Sequence, residues 1–180
     1  MPVTQDSLMA LQSLGQEFTY SDNETMLYAM GIGMGADQMN RDELAFCYEK
    51  GLKVMPSQAT VIAFDDSLFL ECGLDPVKIV HGEQCLTLHR PLPTAATISS
   101  DARVTAAYDK GEGRGALVLL ETVLTDKAGG DKLCTLESVI FARGDGGYGG
   151  PQGAPAPLPK PPMGLADHVV ENFRPCPGRR

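Results

Sequence analysis

The densest group of chemically able side chains in this sequence is His81-Gly82-Glu83-Gln84. An imidazole beside a carboxylate can act as an acid and base pair. The plainer alternative is a solvated, hydrogen-bonded histidine at the start of a strand. Lys110, within Asp109-Lys110-Gly111-Glu112-Gly113, is either a turn lysine in water or a cation at a pocket rim for a phosphate. Two glycine runs invite an anion-binding reading. Gly31-Ile32-Gly33-Met34-Gly35 falls short of the dinucleotide fingerprint, because its third glycine comes one residue early and the run follows a helix. Gly144 to Gly150 can cradle an anion in backbone N–H groups, or be the irregular exit from a strand. Arg143-Gly144-Asp145 carries little information in a chain without a secretion signal.

Other chemistry finds no support. His89 sits beside Arg90 on a solvated strand face and His168 lies in the tail; three histidines so dispersed, with no acid at ligand spacing, make no metal site. There is no G-x-S-x-G, hence no nucleophile elbow. The five cysteines, Cys47, Cys72, Cys85, Cys134 and Cys176, are odd in number and contain no C-x-x-C, so neither a disulfide framework nor a zinc site is expected. Cys85 and Cys134 read as small apolar strand residues.

The elements that must position these groups fall into two runs. Helices come first. Asp22 to Met34 is capped by Ser21 or Asp22, with Met26, Leu27, Met30 and Met34 close to one face. Arg41 to Lys50 makes a shorter helix ended by Gly51, and Ala59 to Leu70 is apolar without a decisive period. Strands follow. Glu83–Arg90 carries Leu86 and Leu88 on one face. Thr97–Tyr108 sets Ala102, Val104, Ala106 and Tyr108 against Arg103 and Thr105. Ala116–Thr125 and Leu133–Ala142 complete the set, joined through glycine-containing turns into an antiparallel meander. One face of such a sheet needs a cover, and the early helices supply it, which gives an α+β fold.

Residues 151–180 are first rich in Pro, Ala and Gly and cannot bury enough apolar area to offset their ordering entropy. The expected division is a folded domain over 1–150 and, over 151–180, a linker leading to the start of a second unit. A formal charge of -8 argues against a grip on nucleic-acid phosphates. No apolar run reaches the ~18 residues of a membrane-spanning helix. The N-terminus lacks the basic and apolar stretches of a signal peptide, and Pro-Gly-Arg-Arg at the end is no organelle address, so a cytoplasmic setting is expected.

Read in order, the segments Tyr20-Ser21-Asp22, Leu27 to Gly33, Tyr48-Glu49-Lys50-Gly51-Leu52-Lys53-Val54-Met55-Pro56, His81-Gly82-Glu83-Gln84, Arg90-Pro91-Leu92-Pro93, Asp109 to Ala116 and Phe141 to Gly150 resemble a known family. They look like the N-terminal half of the type 2 (R-specific) enoyl-CoA hydratases, MaoC-like proteins whose unit also occurs in the peroxisomal multifunctional enzyme of fatty-acid oxidation. The likeness runs from about Gln16 to Gly150.

The resemblance implies one hot-dog unit, a curved antiparallel sheet wrapped around a helix. Family members carry two units in tandem. They convert trans-2-enoyl-CoA to (R)-3-hydroxyacyl-CoA without metal or redox cofactor, the CoA thioester being substrate. Their catalytic aspartate and histidine lie in a G-D-x-N-P-x-H string on the second unit, which this sequence does not contain. A truncation or frameshift is one expected cause. By the same resemblance His81, Gly82 and Lys110 contact the acyl-CoA, and no catalytic residue is expected here. The expected partner is a second copy, giving a homodimer, or a catalytic hot-dog domain. A non-catalytic acyl-CoA-binding or assembly module, and a thioesterase using Glu83, are the alternatives.

Overall fold

The computed structural model describes residues 3–65, 67–70, 73–160, 162–166 and 169. Its element order is α1 (Gln5–Met9), β1 (Gln12–Tyr20), α2 (Asp22–Gly31), α3 (Arg41–Leu44), a 3-10 turn at Pro56–Thr60, α4 (Ser67–Leu70), and a second 3-10 turn at Pro76–Lys78. Then come β2 (Ile79–Leu88), β3 (Ala96–Asp109), β4 (Ala116–Asp126) and β5 (Lys132–Ala142). The five strands form one antiparallel sheet in the order β1-β3-β4-β5-β2. The meander of β3, β4 and β5 is the one the turn residues foretold. What it did not reveal is β1, which pairs along β3, nor α1, where Thr4 and Ser7 cap each other across the first turn.

The helices are shorter than their apolar patterns suggest. α2 starts on a reciprocal cap between Ser21 and Glu24, whose carboxylate accepts the Ser21 N–H at 2.9 Å. It ends at Gly31, before Met34. Its buried residues are Thr25, Met26 and Ala29, while Leu27 and Met30 face outward, so the expected apolar face is only partly the inner one. The polar Thr25 is what locks it: its hydroxyl donates to Thr94 O at 2.8 Å and accepts from Gln58 Nε2 at 3.1 Å. The helix expected over Arg41 to Lys50 is a single turn capped by Asn40, followed by turns that end at Gly51, whose φ is +77°. Ala59 to Leu70 is neither one helix nor one strand; it holds the end of a 3-10 turn and the short α4.

These short pieces cover one face of the sheet in two clusters. Leu8 of α1, Phe69 of α4 and Leu74 pack on Val104, Ala107, Val118, Ile140 and Ala142. Tyr20, Ala59 and Leu92 pack on Ile98, Leu124, Cys134 and Leu136. Cys134 is fully buried, as expected of a small apolar strand residue, and burial pushes its thiol up to about 11. Cys85 is half-buried on β2. Cys72, Cys176, His168 and the possible strand start from Asp167 lie outside the described residues, Val169 alone excepted.

Strand phase corrects one further expectation. In β3, Val104 pairs with Leu120 and Ala106 with Leu119, so Thr105 is an extra residue, a β-bulge. Side chains alternate faces along a strand, and the bulge shifts that alternation by one. Ile98, Ser100 and Val104 point inward before it; Ala107 and Asp109 do so after it. Ala106 and Tyr108, expected on one side with Val104, are therefore displaced from that series.

Ile98 is fully buried in the centre of the second cluster. Ile98→Ala is expected to cost about 3 kcal/mol, through lost transfer energy and the cavity left behind. Urea denaturation followed by far-UV circular dichroism checks this.

Candidate substrate-binding site

His81 sits on β2, an edge strand that pairs with β5 on one side. The register is Val80 with Phe141 and His81 with Ile140, but then Glu83 with Val139 and Gln84 with Ser138. Gly82 is thus the extra residue of a second bulge. It fits there because it has no side chain: a Cβ on Gly82 would stand 3.1 Å from Val139 O. In an unbroken strand His81 and Gln84, three residues apart, would face opposite ways. The bulge puts both on the face that carries Leu136, Ser138 and Ile140. Glu83 is turned to the other face, so the sequence-level pairing of His81 with Glu83 as acid and base does not form.

His81, Gln84 and Ser138 make a polar triplet. Ser138 Oγ donates to Gln84 Oε1 at 2.8 Å, and Gln84 Nε2 donates to Cys85 O at 3.2 Å. The second bond fixes which end of the amide faces which neighbour. His81 Nε2 lies 3.1 Å from the same Gln84 oxygen and must be the donor, since that oxygen can only accept. The imidazole then carries a proton on Nε2. Neither Gln84 in this role nor Ser138 was legible from spacing; the four-residue run hinted at the first and nothing pointed to the second.

The triplet stands at the rim of a cleft of about 550 Å³ between the two core clusters. Ile79, Leu120, Leu136 and Ile140 line its sheet side, and Val61, Phe64 and Phe69 its opposite wall. Val61 and Phe64 remain largely exposed, 49% and 73%. The carboxylate lining it is Asp65, whose acid is held below the usual range by hydrogen bonds from the Ser67 hydroxyl and N–H. The arrangement can bind a chain with an apolar body and one polar group near His81. Among the described residues no cluster of histidine, cysteine and carboxylate side chains suits a metal ion.

Lys110 is elsewhere. The pairs His81–Ile140, Val118–Ile140 and Ala107–Val118 run across four strands, with Lys110 beyond Ala107 at the end of β3. Three strand spacings amount to about 14 Å. The structure therefore does not bring Lys110 and His81 together. Lys110 donates its N–H to Gly115 O at 3.0 Å, which closes the 110–115 turn.

That turn is held by its neighbour. Asp109, 5% exposed, accepts backbone N–H bonds from Gly111 (2.8 Å), Gly147 (2.7 Å) and Gly149 (2.8 Å). The glycine run 144–150 is an anion cradle, and the anion it holds is the protein's own carboxylate. These bonds, that from Gly147 foremost, set the Asp109 acid below the usual carboxylate range. Burial, with Asp109 nearby, raises the Tyr148 hydroxyl. Gly146 is enclosed too, since a Cβ there would come 2.3 Å from Gly111 O. The segment that follows begins on the sheet: Pro151 O accepts the Asp109 N–H at 2.9 Å.

The antiparallel sheet with its short covering helices is a hot-dog fold of the MaoC-like dehydratase class, and it superposes on a MaoC-like dehydratase from Phytophthora capsici with a TM-score of 0.68 at 25% identity, over 92% of this chain and 59% of that one. The sequence is 31% identical over 155 residues to a protein named enoyl-CoA hydratase 2, peroxisomal, from Arabidopsis thaliana, covering 79% of this chain and 48% of the relative. It is 32% identical over 150 residues to 3-hydroxyacyl-thioester dehydratase Y of Mycobacterium tuberculosis, covering 81% and 50%. Residues 18–144 match the MFE-2 hydratase 2 N-terminal domain, and the chain belongs to that family. It spans about half the length of these two relatives.

Asp109→Asn is expected to lower the thermal midpoint at neutral pH by several degrees, because a neutral amide replaces the anion under three N–H donors. The folded-state acid is depressed, so its contribution is complete above the ordinary carboxylate pKa, about 4. It is lost as pH falls through the lower folded value. The difference between wild type and variant should therefore shrink below about pH 4. Thermal scans from pH 7 to pH 2.5 check this.

Proposed function

We propose that this chain binds the acyl part and thioester of a 2-enoyl-CoA in the cleft beneath His81. It would serve as the substrate-contacting hot-dog unit of a hydratase that forms (R)-3-hydroxyacyl-CoA in fatty-acid metabolism. The observation that carries the reading is the Gly82 bulge, which holds the His81 imidazole at the rim of an apolar cleft. His81 and Gly82 contact the substrate near its polar end, and Lys110 meets a distant part of the same long molecule. No step of hydration is assigned to this chain's own groups. His81 has no carboxylate partner among the described residues, and Asp65 is engaged by Ser67. The acid and base come from a second hot-dog domain.

The test is calorimetric titration with trans-2-decenoyl-CoA. His81→Ala should weaken binding about tenfold, the loss of one good hydrogen bond. The isolated chain should show no hydration of the same thioester. Equal affinity of variant and wild type, or turnover by the chain alone, overturns the reading.

A second reading, an acyl-CoA-binding or assembly module, rests on the free edge of β2 and the exposed Val61, Phe64 and Val80. It calls for a partner: a second copy, making a homodimer, or a separate catalytic hot-dog chain. Light scattering after size exclusion should give a mass above 19.2 kDa for the chain alone if the partner is a second copy. A stable monomer removes that partner and leaves the catalytic chain. Among the described residues no helix is long and apolar enough to cross a membrane. The compartment we assign is the cytoplasm, on the five widely spaced cysteines.

A further inference from the structure

A second, smaller pocket opens on the opposite face of the sheet. Phe141 lines it, whereas its neighbour Ile140 lines the cleft of His81; successive strand residues point to opposite faces. The pocket is about 370 Å³, and its polar walls are three cations, Lys78, Arg114 and Arg143. They arrive from three separate parts of the chain and are brought together by backbone. Lys78 lies at the end of the second 3-10 turn, and its carbonyl accepts the Arg143 N–H at 3.1 Å just past β5. Arg114 belongs to the turn between β3 and β4, which presses on the same spot through Gly115. With φ at +78°, a Cβ on Gly115 would stand 2.7 Å from Ala142 O and 2.9 Å from Arg143 Cα. Only glycine allows that approach, so the two arginines are held side by side by the fold.

Their charge is unanswered. In a chain with 23 acids and 15 bases, cations have no shortage of carboxylates to pair with. Yet neither Arg114 nor Arg143 has an ion-pair partner among the described residues. Lys78 has one, Asp75 at 3.3 Å, and both remain partly exposed. Two further acids lie close in sequence: Asp145, which accepts the Asp75 N–H at 3.2 Å, and Glu112, two residues before Arg114 in the same turn. Two guanidinium groups flanking a polar hollow of this size, with an ammonium shared at its edge, suit a group with several oxygens and a double negative charge.

We propose that Lys78, Arg114 and Arg143 form a binding site for a phosphate monoester or diphosphate. The site stands on its own geometry and does not depend on what occupies the cleft across the sheet. Arg114 and Arg143 supply forked N–H donors; Lys78 turns from Asp75 to the ligand as a third charge. The sequence directs attention to Lys110 as the phosphate-facing cation, but Lys110 does not line this pocket; Arg114, four residues along the same turn, does.

The probes are inorganic pyrophosphate and adenosine 3′,5′-bisphosphate, titrated into the full chain and followed by the arginine Nε–H resonances. Saturable shifts at Arg114 and Arg143 are expected, with affinity falling as salt rises. Arg114→Gln and Arg143→Gln should each weaken binding about tenfold, as loss of a charge-assisted fork predicts. Both side chains lie on exposed residues, so circular dichroism should report unchanged folds. Lys50→Gln, an exposed cation remote in sequence, should leave binding as it was. Tighter binding of the nucleotide than of pyrophosphate supports the site and names a nucleotide-borne phosphate as its ligand; equal binding supports it for the phosphate groups alone. No saturable shift with either probe, or equal weakening by Lys50→Gln, overturns it.

Discussion

A strand gives its side chains to two faces in turn, and one extra residue exchanges those faces for everything that follows. Two such residues shape this molecule. Thr105 reverses the phase of β3 and carries Asp109 inward. Gly82 reverses the phase of β2 and lets His81 and Gln84 look the same way. The carboxylate turned inward gathers the glycine-rich segment and the 110–115 turn; the imidazole, still exposed, stands at the rim of an apolar cleft. Without the two slips, the same sequence would place an anion and a histidine where neither has these neighbours.

The cover of the sheet has a different logic. No long helix fills the concave side of the described structure. Leu8, Ala59, Phe69, Leu74 and Leu92 come from several short segments, each too brief to be stable alone. Cover made of pieces leaves a gap between them, and the cleft is that gap. A single continuous helix would bury more of Leu120, Thr122 and Ser138, all of which stay half-exposed along the middle of the sheet.

This division explains what could be read in advance. β3, β4 and β5 were legible because their turns carry glycine and their apolar residues are dense. Their ends are off by one residue at most. The short helices were not, since their burial is decided by the sheet they meet: Leu27 and Met30 look like core residues and are exposed, while Thr25 looks polar and is buried. Strand β1 was missed because Gln12-Ser13-Leu14-Gly15-Gln16 has no apolar alternation; its order comes from pairing with β3. Of the candidate site, the run from His81 to Gln84 was marked by its residue types, and the substrate-contacting role proposed for His81 and Gly82 came from resemblance. The bulge that relates them, and the roles of Gln84 and Ser138 as partners, were not legible, because a phase slip exists only between two strands. The glycine run was read chiefly as the irregular exit from a strand, with an anion cradle as the alternative; the anion its N–H groups hold lies 38 residues upstream of Gly147, where no local pattern could name it.

That separation has a consequence for how the chain acquires its shape. Gly111 is two residues from Asp109, but Gly147 and Gly149 follow β4 and β5 in the chain, so their bonds to the carboxylate need both strands in place. The carboxylate is therefore a long-range tie between the end of β3 and the segment after β5. It works as a latch that closes this end of the sheet.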